Sequence, residues 1–221
     1  MIISQRLVVR LGVMMVFFTL AGCSSKTAEP QQYSGFMQDY SDLKPVETST
    51  GHQALRWVAP GFEVNNYKSI YFAPVVYYPP ATPNSRVSAS TLEQIRLYTE
   101  QRLKGAVSSR AKMSNQPQPG GLTMKTAITA VSAENKDIRV YELLPVTAVI
   151  AGTMSVTGNR SQNTYLFIEA VLTDVTTHKP VLKVVRKAYG GAVANSNAQI
   201  TQADLKNAID DMVTDVAQFS R

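Results

Sequence analysis

The chain has 221 residues, 44% of them hydrophobic and only 17% charged, with a formal net charge of +6. This balance excludes a disordered, charge-rich chain and is enough to bury the core of one domain. The basic excess falls short of the dense cationic face of a nucleic-acid binder, and one cysteine leaves no internal disulfide and no cysteine metal site.

The opening residues carry an address rather than an activity. Arg6 and Arg10 precede an apolar run over residues 11–20, the small residues Ala21 and Gly22 follow, and then comes Cys23. These are the parts of a secretory signal peptide. The apolar run is well short of the roughly 20 residues that a spanning helix needs. Leu20-Ala21-Gly22-Cys23 resembles the bacterial lipobox. The resemblance implies that residues 1–22 are a cleaved signal peptide and that the Cys23 sulfur carries a diacylglycerol, usually with an acylated amino terminus beside it. Membrane lipid is then the first partner. At about 0.8 kcal/mol per buried methylene, two or three chains anchor effectively permanently. By resemblance to the sorting rule of Gram-negative lipoproteins, Ser24 in place of an aspartate implies the outer membrane, on its periplasmic face.

Residues 24–32 are polar and aperiodic, and with Cys23 they read as a flexible tether reaching roughly 30 Å when extended. Residues 33–221 then form one α+β periplasmic domain. Its first stretch, Gly35-Phe36-Met37-Gln38-Asp39-Tyr40-Ser41-Asp42-Leu43, mixes aromatic, apolar and acidic side chains. With Tyr67-Lys68-Ser69-Ile70-Tyr71 and Pro74 further on, it resembles a family of proteobacterial lipoproteins of unassigned activity whose mature chains begin Gly-Phe-x-x-Asp-Tyr-Ser-x-Leu. Asp39, Tyr40 and Asp42 are candidates for a docking loop. The competing reading, which the size of aromatic side chains favours, is that Phe36, Tyr40 and Leu43 pin the start of the domain to its core.

Ala54-Leu55-Arg56-Trp57-Val58 is expected to be a short edge strand, and residues 67–78 the first full strand, interrupted at Pro74. Tyr77-Tyr78-Pro79-Pro80 reads as a rigid loop rather than a recognition segment. Ser90-Thr91-Leu92-Glu93 is a capping box, and Leu92, Ile95, Thr99, Leu103 and Ala106 recur at helical spacing, so a helix is expected over 91–108. Strands follow over 122–133, with Leu122, Met124, Ile128 and Ala130 on one face, and over 146–156, 164–175 and 181–189. Thr201-Gln202-Ala203-Asp204 caps a last helix whose apolar stripe is Leu205, Ala208, Ile209, Met212, Val213 and Val216. The expected fold is α+β, a mainly antiparallel sheet of about five strands packed by two long amphipathic helices. Ala151-Gly152-Thr153 and Leu172-Thr173-Asp174-Val175-Thr176 carry the family resemblance through the last third. They also more weakly resemble outer-membrane lipoprotein assembly factors: the curli secretion lipoprotein, the lipoprotein activator of penicillin-binding proteins and the amino-terminal domain of TolB. At this turn His178 stands where those proteins carry glycine.

The chemistry-bearing residues are sparse. His52 and His178, the only two histidines, lack the nucleophile elbow or third ligand that a triad or zinc site requires. Glu169 and Asp174 fall on opposite faces of one expected strand, and Gly190-Gly191 reads as strand-end flexibility. No catalytic residue, metal or cofactor is expected. Lys183 and Lys187 share one face of a strand that has no acid between Asp174 and Asp204. Together with Asp39, Tyr40 and Asp42 they are the candidate binding surface, and a basic strand edge here would meet an acidic partner or anionic headgroups. The function these observations favour is a non-enzymatic binding or assembly module of the cell envelope, with an envelope protein or peptidoglycan as partner and no nucleic acid. The alternatives are an envelope hydrolase acting on glycan or lipid, and an oligomeric export component.

Overall fold

The computed structural model describes residues 27–135 and 161–219. Cys23, the lipobox residues Leu20, Ala21 and Gly22, the sorting residue Ser24 and the strand expected over 146–156 lie outside the described residues.

In chain order the elements are β1 (Lys44–Glu47), β2 (Gln53–Val58), β3 (Ile70–Phe72), β4 (Val76–Tyr77), α1 (Ala89–Ser108), β5 (Met113–Ser114), β6 (Leu122–Asn135), β7 (Gln162–Asp174), β8 (Pro180–Val193) and α2 (Gln202–Ala217). The strands form one eight-stranded mixed sheet in the order β1-β2-β8-β7-β6-β3-β5, with β4 also on β6. This corrects the expectation of about five mainly antiparallel strands. β1, β2, β8, β7 and β6 are antiparallel, whereas β3, β4 and β5 pair in parallel. The parallel half follows from connectivity. Between β3 and β6 the chain passes through α1, a crossover long enough to return it to the same end of the sheet. The extra strands went unseen because Lys-Pro-Val-Glu and Met-Ser are too short for alternation to register. The expected 67–78 strand divides at Pro74 into two pieces, both lying on β6.

α1 begins earlier than its sequence signal. Ser88 is the N-cap and its hydroxyl accepts from the Thr91 amide at 3.1 Å, while Glu93 turns to a two-point pair with Arg96. At α2 the reciprocal box forms as read, between Thr201 and Asp204. Buried residues of both helices join Leu166, Ile168, Ala170, Leu172, Leu182 and Ala188 in one aliphatic core, so both helices cover the same face of the sheet.

The other face has its own small core of Leu55, Ala130, Tyr165, Phe167 and Val185, covered by Ala28, Tyr33, Met37, Tyr40 and Leu43. Ala130 is thus on the face opposite to the one expected. A bulge between Ile128 and Ala130 inserts one residue into β6 and inverts its alternation from there on. Gly190 is also more than a flexible strand end. A Cβ at that position would lie 2.3 Å from Thr164 Oγ1 and 2.4 Å from the Asp204 carbonyl oxygen, so its lack of a side chain is what lets the first turn of α2 settle on the sheet.

Candidate functional site

The helix face of the sheet is not filled to its margin. Between the strands and the C-terminal halves of α1 and α2 lies a cavity of about 440 Å³. Its floor follows from the register: Arg56 on β2 stands opposite Val184 on β8, Val184 opposite Ala170 on β7, and Ala170 opposite Thr126 on β6. A parallel row runs through Val58, Leu182, Leu172 and Met124. Leu103, Val107, Met212 and Val216 from the helices, with Phe62 and Phe219, complete the apolar walls. Ala170, small among large neighbours, gives the floor its depth. At about 24 cal/mol per Å³, a sealed and empty void of this volume would cost on the order of 10 kcal/mol. That is near the entire net stability of a domain. Such a cavity is sustained by solvent or by a ligand, and its size falls among small-molecule sites.

Arg186 is the polar centre of the wall. It is 4% exposed, its Nη1 donates to the Gln53 carbonyl at 2.6 Å, and its Nη2 lies 3.0 Å from Asp215 Oδ2. Burial pushes the guanidinium pKa down, with Asp215 opposing that shift. The ion pair is not aligned as a hydrogen bond, and Arg186 Nε has no hydrogen-bond partner among the described residues. Asp215 is held from the other side, its Oδ1 accepting from Ser49 Oγ at 3.1 Å, Thr50 N at 3.0 Å and Thr50 Oγ1 at 2.8 Å. Thr126 Oγ1, also on the cavity wall and in a residue 1% exposed, makes no hydrogen bond among the described residues either. A buried polar group left so costs about 1–3 kcal/mol unless something enters to satisfy it. Arg110 is committed to the carbonyls of Ala217 and Phe219, each at 2.7 Å. Arg56 lies over the Phe219 ring, 4.9 Å from its centroid, with no carboxylate partner among the described residues.

The residues singled out by sequence lie on the opposite face, and the structure brings them together. Lys183 and Lys187 are both buried, on a strand that is central rather than an edge, with β2 on one side and β7 on the other. Lys183 Nζ reaches Asp42 Oδ1 at 2.9 Å and Asp39 Oδ2 at 3.3 Å and lies over the Trp57 ring. Hydrogen bonds from the Ser41 amide and hydroxyl, and then from Lys183, hold the Asp39 carboxyl down at about 2. Lys187 sits over the rings of Tyr165, Phe167 and Tyr189. Tyr40 stacks on Tyr33 and donates its hydroxyl to Glu169 Oε2 at 2.6 Å; burial and that bond push its pKa up to about 12. The Ser34 amide donates to Glu169 Oε1 at 2.9 Å. Lys183 with Asp39 and Asp42, and Glu169 with Tyr40 and Ser34, clamp the N-terminal segment to the sheet. Glu169, 0% exposed, was missed as the centre of this clamp. Its signal was a single carboxylate inside the run Leu166-Phe167-Ile168-Glu169-Ala170-Val171-Leu172.

His52 Nε2 lies 3.3 Å from Asp211 Oδ2, and His178 occupies the β7–β8 turn; neither lines the cavity. Among the described residues no three His, Cys, Asp or Glu side chains gather as a metal site, and no helix is long and apolar enough to cross a membrane.

Fold and cavity together define a mixed-sheet domain with a clamped N-terminal segment on one face and an apolar pocket beneath two helices on the other. The family described as "Protein of unknown function (DUF3313)" matches residues 32–216. The uncharacterized lipoprotein YdcL of Escherichia coli strain K12 is 40% identical over 200 residues, covering 90% of each chain, and the same holds for YdcL of Escherichia coli O157:H7. The chain belongs to this family of uncharacterised lipoproteins, as its Gly-Phe-x-x-Asp-Tyr-Ser-x-Leu start implied. Among solved structures, the PelC dodecamer from Paraburkholderia phytofirmans is 8% identical with a TM-score of 0.35, over 75% of this chain and 93% of that one. A putative neuraminyllactose-binding hemagglutinin homolog from Helicobacter pylori is 7% identical with a TM-score of 0.39, over 72% of this chain and 86% of that one. Likenesses this remote carry no argument about this chain.

Proposed function

We propose that this lipoprotein is held by acylated Cys23 on the periplasmic face of the outer membrane and works there as a non-enzymatic binding module, with the cavity beneath α1 and α2 as its ligand site. The observation that supports binding is the cavity itself: about 440 Å³, mainly aliphatic, with Arg186 Nε and Thr126 Oγ1 buried in its wall without hydrogen-bond partners among the described residues. Its wall offers recognition rather than a reaction centre. The cations and the one well-held carboxylate, Asp215, fix orientation, whereas a nucleophile with a base and an orienting group is not gathered there. The clamped N-terminal segment holds the domain close behind its anchor, within reach of an envelope protein or peptidoglycan partner.

In-cell crosslinking of the full-length protein, with a Cys23→Ser control, tests this reading. The expected result is fractionation with the outer membrane and a defined set of crosslinked envelope components, both lost in the control. Fractionation that does not depend on Cys23, or hydrolysis of purified envelope glycan or lipid by the protein, would overturn it.

A further inference from the structure

We propose that the cavity takes a single-chain amphiphile with an anionic head, its chain lying across Val184 and Ala170 and its head at Arg56 and Arg186. This rests on the reading of the cavity as a ligand site and names what occupies it. The lining explains the chain. The row from Arg56 through Val184 and Ala170 to Thr126 crosses three inter-strand steps, roughly 14 Å at the usual strand spacing. Between its polar ends lie only apolar side chains, flanked by Leu182, Leu172 and Met124. A highly polar ligand would desolvate without compensation there, whereas an alkyl chain needs no partner along its length.

The charges explain the head. The charged residues of the lining are Arg56, Arg110 and Arg186 against Glu47 and Asp215. Arg110 is tied to two carbonyls, and Asp215 is tied to Ser49, Thr50 and Arg186. Glu47 is exposed at the mouth. Among the described residues Arg186 Nε and Nη2 and Asp215 Oδ2 make no hydrogen bond, and the Arg56 guanidinium lies over the Phe219 ring without a carboxylate, so three guanidinium groups against two carboxylates leave the lining net cationic. Arg56 stands opposite Val184, and Arg186 lies two residues further along the same strand on the same face. One anion bridges two such guanidinium groups through charge-assisted hydrogen bonds. The described N-terminal segment does not enter the cavity, because Ala28 and Tyr33 pack on the other face of the sheet.

The test uses the full-length acylated protein exchanged from detergent into amphipol, titrated with dansyl-undecanoic acid and with its methyl ester. The expected result is saturable fluorescence enhancement by the acid, with binding weakened about tenfold or more in the ester and in Arg56→Gln. Ala170→Phe should abolish the signal while the protein keeps a cooperative melt, and Ala170→Leu serves if the larger residue unfolds the chain. Displacement of the probe by oleate identifies a carboxylate head, and displacement by lysophosphatidate alone identifies a phosphate head; either supports the proposal. Acid and ester binding equally, unmoved by Arg56→Gln, would overturn the anionic head while leaving the cavity a ligand site. Binding that is not saturable, or that survives the Ala170 substitutions, would overturn both.

Discussion

The two faces of the sheet are held by different physics. Beneath the helices the contact is broad and aliphatic, with Leu166, Leu205, Ala208 and Ile209 all 0% exposed. Under the N-terminal segment the apolar patch is small, and the segment is fixed by directional contacts: Tyr40 and Ser34 to Glu169, and Lys183 to Asp39 and Asp42. Burial by area is non-directional and scales with the atoms removed from water. Charge and hydrogen-bond contacts respond instead to geometry, pH and the loss of a single partner. The helix face should therefore unfold only with the whole domain, whereas the clamped segment should open by itself.

Leu205→Ala should give the largest effect. Removing a fully buried leucine costs about 2–5 kcal/mol, and urea unfolding followed at both faces should shift together. A loss seen only near residues 34–43 would erase the contrast between the faces. Next come the clamp charges, where the order of effects is diagnostic. Asp39→Asn with Asp42→Asn strands Lys183, whose side chain is 6% exposed, without a counter-charge. Stranding a buried charge costs up to about 3 kcal/mol here, at the low end for buried pairs because the Trp57 ring still faces the ammonium. Lys183→Met leaves behind Asp39, 61% exposed, and Asp42, 30% exposed, both within reach of water. About 1 kcal/mol or less is expected. Native-state hydrogen exchange should show both losses confined to residues 34–43, and a lysine substitution costlier than the double acid substitution would contradict burial as the deciding factor.

The parts of this contrast differ in how far the sequence discloses them. Helical spacing at 92–106 and 205–216 marks what α1 and α2 bury, because a periodic stripe is a local property. The pinning role of Tyr40 and Leu43 was legible from residue type, but their partner was not, since Glu169 lies 129 residues from Tyr40 in sequence. The β6 bulge shows the limit of alternation: one inserted residue sends Ala130 to the face of Phe167, and nothing in Ala-Ile-Thr-Ala announces it. The cavity is further still from local pattern. It exists because Arg56, Val184, Ala170 and Thr126 come from four strands aligned by register, and because Ala170 is small where its neighbours are large.

A smaller effect separates the faces by pH. Tyr40 is held protonated up to about 12, chiefly by burial and then by its bond to Glu169, against about 10 in an unfolded chain. A group whose folded pKa is raised contributes stability fully below its unfolded value and loses it as pH climbs through the folded value. Tyr77, whose hydroxyl donates to the Leu92 carbonyl of α1, also has its pKa raised by burial, so the helix face carries an alkaline loss of its own and the substitution is the test. Tyr40→Phe should flatten the fall in protection of residues 34–43 between about pH 10 and 12 while leaving the pH dependence of the helix face unchanged. A Tyr40→Phe effect on both faces alike would show that the clamp does not open separately.

The smallest effect belongs to neither face, and that makes it the control. His178 closes the β7–β8 turn with φ at 57°, its amide donating to the Asp174 carbonyl at 2.9 Å, while Asp174 Oδ1 accepts from the Thr176 and Thr177 amides. A side chain held in the left-handed region costs about 1–2 kcal/mol, and glycine avoids that cost. Glycine also raises the entropy of the unfolded chain, which removes roughly 0.5–1 kcal/mol of the gain. His178→Gly should therefore stabilise by about 1 kcal/mol or less. Because the turn joins the two strands that carry both faces, the gain should reach global unfolding without changing the difference in protection between the helix face and residues 34–43. A gain confined to the clamp would mean that the turn is coupled to one face, and that the two faces are not independent in the way their contacts imply.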